Sequence, residues 1–146
     1  MLDSAKVPPV SPDETLARFI IFSKHFRSSN NTVKPDAFIP HPQTELSVTR
    51  HRQATNDEIW QEGERVAALR STTLYGRADV TAAVFTDEEL SVVPKPIIPE
   101  NPNHADVIDW PAEKPAQKMK AVDIASKAQY LSRPASPDAD KALNQG

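Results

Sequence analysis

The apolar positions of this chain follow two periods, and the switches between them mark its elements. Leu46 and Val48 alternate with Ser47, Thr49 and His51, which predicts a strand over 45–51. The period then lengthens. Ile59, Gly63, Val66 and Arg70, flanked by Trp60 and Ala67, fall on one stripe, and acidic and polar residues cover most of the rest, which predicts a helix over 55–71. Thr55 with Glu58 three residues on supplies its capping box. Gly63 costs roughly 1 kcal/mol against alanine inside a helix, so its place on the stripe predicts close packing on a sheet. Alternation returns over 73–85, where Leu74, Gly76, Ala78, Val80, Ala82 and Val84 share a face, and predicts a long half-buried strand. A short strand over 90–93 is expected to pair with it as a hairpin through Thr86-Asp87-Glu88-Glu89, and another is expected over 104–110. Ala121, Ile124, Ala125, Ala128 and Leu131 set the narrow stripe of a helix over 116–131, stopped by Pro134. Near the start, Ser11-Pro12-Asp13-Glu14 has helix-start chemistry while Phe19-Ile20-Ile21-Phe22 favours a strand. The expected path is a short helical turn entering a strand.

Proline confirms these divisions. None of the fourteen prolines lies between 43 and 93, whereas six crowd 94–115, so that connector is expected to be largely extended. The organisation expected is a flexible N-terminal arm over 1–10, a single domain over 11–133 and a disordered tail over 134–146. The fold class is α+β: a mostly antiparallel sheet of four or five strands with two helices packed on one face.

Charge changes this picture in one place. Residues 24–52 hold three of the four histidines, and five cations against two acids, a formal +3 in a chain whose total is −3. A local cationic patch holds an anion even on an acidic protein. The candidate anion-binding residues are therefore Lys24, His25, Arg27, His41, Arg50, His51 and Arg52. The overall −3 and a pI near 5.8 argue against a dedicated duplex-DNA binder. No cysteine is present, which excludes disulfides, thiolate zinc sites and cysteine nucleophiles, and no apolar run approaches the roughly 20 residues that span a bilayer. A cytoplasmic protein with no membrane partner is expected.

Several chemistries lack their signatures. There is no glycine-rich phosphate loop, no His-Glu-x-x-His helix and no Gly-x-Ser-x-Gly elbow. A His41, His51 and Asp106 metal site would need the fold to join distant positions, so neither metal nor cofactor is expected. Ser47, Thr49 and His51 share a strand face that could line a ligand groove or lie at a plain solvated edge. In Asn103-His104-Ala105-Asp106-Val107, His104 and Asp106 point to the same side of a strand, where the carboxylate can orient the imidazole.

The phrases Leu16-Ala17-Arg18-Phe19-Ile20, Ala37-Phe38-Ile39-Pro40, Leu46-Ser47-Val48 and Asn103-His104-Ala105-Asp106-Val107 resemble, in order and spacing over 14–130, those of a group of small bacterial proteins to which no activity is attached. The resemblance implies a bacterial cytoplasmic protein and carries over no site residue. The leading expectation is a non-enzymatic accessory module that recognises an anionic partner, nucleic acid or an acidic protein surface, through 24–52. One alternative is a metal-independent enzyme on nucleotide or RNA phosphodiesters with His104, Asp106 and one of His51 or His25 as catalytic residues. Another is a protein–protein adaptor using the C-terminal helix.

Overall fold

The computed structural model describes residues 7–40 and 44–134. The fold is α+β as expected, but its central sheet has six strands, not four or five, every pairing antiparallel, and three α-helices form among the described residues where two were expected. In chain order the elements are β1 (Thr15–Ile20), a small hairpin of β2 (Phe26–Arg27) and β3 (Thr32–Val33), β4 (Leu46–Arg50), α1 (Asn56–Leu69), β5 (Gly76–Thr81), α2 (Ala82–Thr86), β6 (Ser91–Pro94), β7 (His104–Ile108), α3 (Lys114–Lys127) and β8 (Gln129–Ser132). The large sheet runs β6-β7-β4-β1-β5-β8, so β4 and β1 sit at its centre.

Alternation along β1 sorts the core onto two faces. Leu16 and Ile20 point to one side, where they join Val48, Ala78, Val80, Val107, Phe38, Phe85 and the α3 residues Ala121 and Ile124 in the main core. Phe19 points to the other side and packs with Ile21, Leu74, Trp60, Val66 and Ala67 beneath α1. The helices therefore cover both faces, not one as expected. The α1 capping box forms as read, with the Glu58 N–H donating to Thr55 and the Thr55 N–H to Glu58. A Cβ at Gly63 would lie 2.8 Å from the Phe19 ring, which accounts for glycine at that point of the stripe.

Five other expectations change. The alternation of 73–85 is a strand only to Thr81. Ala82–Thr86 then coils as α2 and buries Ala82 and Phe85, three apart, which is a helical and not a strand spacing. The expected 86–89 hairpin does not join β5 to the next strand, because β6 pairs with β7 at the far edge of the sheet. The second helix stops at Lys127. Ala128 is extended, and Gln129–Ser132 becomes β8 beside β5, with Tyr130 stacked 5.3 Å from Phe26. The 94–115 connector is not extended throughout, since Ile97 and Asn101 exchange backbone hydrogen bonds of 2.8 and 2.6 Å across a tight loop. The expected N-terminal arm is partly docked, with Val7 buried, while residues 1–6 and 135–146, which carry the rest of the arm and most of the tail, lie outside the described residues.

Candidate functional site

The sheet is weakest at its middle. β1 pairs with β5 over six residues but with β4 only through Leu16↔Arg50 and Ala17↔Thr49. Beyond that the two strands diverge, and Arg18 bridges the gap. Its Nε donates to the Ala37 carbonyl at 2.8 Å and its Nη1 to the Ser47 carbonyl at 3.0 Å. Among the described residues no carboxylate lies within ion-pair distance of this guanidinium, and Nη2 has no hydrogen-bond partner. Desolvation by burial, reinforced by the nearby Arg70 charge, draws its pKa down to about 10.

Arg18 lines a cleft of about 1060 Å³ that runs over the open sheet between α1 and the Ile97–Asn101 loop. That volume is slightly above the roughly 300–1,000 Å³ of small-molecule sites. Phe19, Ile21 and Val66 form part of its wall, with Ser47, Thr49 and Asn101 on the polar side, where the Asn101 amide donates to the Thr49 hydroxyl at 3.1 Å.

The candidate residues from the sequence separate. Lys24, His25 and His104 line this cleft. Burial first, then the positive charges of Arg18 and Lys24, hold His25 below the ordinary imidazole value against an opposing pull from Asp36. Arg27 is exposed on the small hairpin, away from the cleft. Arg50 is 1 % exposed and fully occupied: Nε meets Glu14 Oε1 at 2.5 Å, Nη2 meets Oε2 at 3.0 Å, and Nη1 holds the Pro8 carbonyl at 2.9 Å. It closes the N-terminal segment onto the sheet and is not a free cation. Arg52 lines a separate recess of about 240 Å³. His41 lies outside the described residues. The cations of 24–52 therefore do not assemble into one patch, because strand alternation and the β4 pairing send neighbours in sequence to different sides.

Of the candidate catalytic residues, His104 and Asp106 do share a side of β7, with His104 Nε2 at 3.7 Å from Asp106 Oδ1 and His104 Nδ1 at 2.9 Å from the Lys95 carbonyl. Burial raises the Asp106 pKa above the ordinary carboxyl value against the His104 charge, with Glu45 raising it further. His51 does not join them. Its Nε2 lies 3.3 Å from Asp79 on β5, in a network where Arg77 also meets Asp79 at 3.1 Å and sits over the Trp60 ring.

Arg18 itself was absent from the sequence reading, although its signal was present. In Leu16-x-Arg18-x-Ile20 a cation shares a strand face with two apolar residues that are fully buried. Arg70 and Lys114, brought to the same cleft from the ends of two helices, carry no such signal. No helix among the described residues is long and apolar enough to cross a membrane. Comparison of the chain with family models, with curated proteins and with solved structures finds no match.

Proposed function

We propose that this protein is a binding module that holds one anionic group of a ligand or partner in the cleft over Arg18. The supporting observation is a half-buried guanidinium with two of its nitrogens held by backbone carbonyls and, among the described residues, one nitrogen unpartnered and no carboxylate within ion-pair distance. A half-buried cation in that state attracts an anion that reaches it, because partial burial strengthens the attraction and, among the described residues, no carboxylate lies within ion-pair distance of it. The reading keeps an anionic partner but moves its site from the 24–52 segment to a cleft that draws only Lys24 and His25 from it. A long polyanion such as nucleic acid fits less well than a single anionic group, since the cleft's cations Lys24, Arg65, Arg70 and Lys114 are interspersed with Asp36, Glu45, Glu62 and Glu100 and form no continuous basic track. For the phosphodiesterase alternative, His51 lies beside Asp79 away from His104, which leaves His25, on the same cleft as His104, as its third residue.

The test is calorimetric titration with citrate, phosphate and acetate at low and high salt. Binding that weakens as ionic strength rises, is lost in Arg18→Gln and is retained in Arg27→Gln is expected. Equal binding by wild-type protein and a folded Arg18→Gln variant would falsify the reading.

A further inference from the structure

The cleft is charged at its floor and apolar at its rim. Phe22, Leu69 and Ile97 are 41 %, 71 % and 42 % exposed, half of the six large apolar side chains left uncovered among the described residues, and all three line this one cleft. They come from three separate places, the turn after β1, the last residue of α1 and the loop after β6. Single exposed apolar residues are ordinary on a protein surface, but their convergence around one opening marks a binding surface. Phe19 and Val66 continue the apolar wall inward beside Arg18. A site for an inorganic anion has no use for such a wall, and a site for a neutral apolar ligand has no use for an unpaired guanidinium.

We propose that the cleft takes an amphiphilic monocarboxylate, its head on Arg18 and its hydrocarbon body against Phe19, Val66 and the Phe22, Leu69 and Ile97 rim. A carboxylate oxygen accepts a charge-assisted hydrogen bond from the unpartnered Nη2 of Arg18. A single charge fits because Nη2 is the one unpartnered nitrogen of Arg18 and, among the described residues, no carboxylate lies within ion-pair distance of it. The volume of about 1060 Å³ leaves room for a chain of medium length.

This inference rests on the anion-binding reading and is tested so that the two fail separately. Binding of acetate, hexanoate, octanoate and decanoate is measured at fixed ionic strength and below micelle formation, with decanol and inorganic phosphate alongside. Each methylene buried from hexanoate to decanoate is expected to tighten binding about two- to fourfold. Decanol is expected to bind at least about tenfold more weakly than decanoate, which is the share of a charge-assisted hydrogen bond. Arg18→Gln should bring decanoate down to the level of decanol. If that variant does not fold, Leu69→Ser, at a 71 % exposed position, decides by shrinking the gain per methylene while leaving the fold intact. Acetate, phosphate and decanoate binding with equal affinity would overturn the amphiphile and leave the anion site standing. Decanol binding as tightly as decanoate, or no binding by any of these compounds, would overturn both.

Discussion

Among the individual side chains, three buried or half-buried charges have been given three different environments, and each environment sets a measurable response. Arg50 has a carboxylate and two proline carbonyls, so it is structural. Arg50→Met is expected to cost about 3 kcal/mol in urea unfolding, because it strips Glu14 of its partner and frees the N-terminal segment, and to leave anion affinity unchanged. Asp106 has a raised pKa, so the folded protein favours its neutral form. Its contribution to stability is present below the ordinary carboxyl value of 3.8 and is lost as pH rises through the higher folded value. Asp106→Asn should therefore melt at a higher temperature than wild type at neutral pH, and the difference should vanish near about pH 3.5, below the ordinary carboxyl pKa; a lower melting temperature at neutral pH would contradict the raised value. His25 is the opposite case. Its lowered pKa means that its contribution is present above the unfolded value of 6.5 and fades as pH falls through that value toward the folded one. An anion seated on Arg18 cancels one of the charges that depress His25, so binding should take up protons. Affinity is expected to rise between about pH 7.5 and 5.5, and His25→Gln should flatten that rise.

For the helices and strands, legibility in the sequence tracked how local each signal is. α1 and β4 could be read because a capping box, a 3.6-residue stripe and a five-residue alternation are written within the segments themselves. β8 could not, because Ala128 and Leu131 continue the apolar stripe of α3. What turns the chain out of the helix is pairing with β5, where Gly76 sits opposite Ser132, a partner more than fifty positions away. α2 was hidden for a related reason: Ala82 and Val84 satisfy alternation as well as Ala82 and Phe85 satisfy a helical turn, and only the buried Phe85 decides between them. The cleft was partly visible in Lys24, His25 and His104, but Arg18 was missed because charge was counted by nearness in sequence and not by strand face. Two glycines test the packing between elements. Gly63→Ala gains roughly 1 kcal/mol of helix propensity but drives a methyl against the Phe19 ring and Leu74, and a net loss of about 1 kcal/mol is expected from the urea midpoint; a gain would mean that α1 has room to lift. At Gly76 an added Cβ would meet the Leu131 carbonyl and the Tyr130 ring, so Gly76→Ala should release β8, seen as fast amide exchange confined to 129–132.

Across the whole molecule, the sheet divides into a β6-β7-β4 half and a β1-β5-β8 half. The seam between them holds two residue pairs, one further hydrogen bond from the His51 N–H to the Thr15 carbonyl, the Arg50–Glu14 ion pair and the His51–Asp79 contact at one end, and the Arg18 fork at the other. Arg18 thus works as a rivet as well as a receptor: its Nη1 grips the Ser47 carbonyl in one half while its own backbone is woven into the other. Whatever occupies the guanidinium changes the tension on that rivet. A protein pulled apart by its ends, or loosened by heat, should tear first along this line, and cargo seated there should change the force at which it gives way.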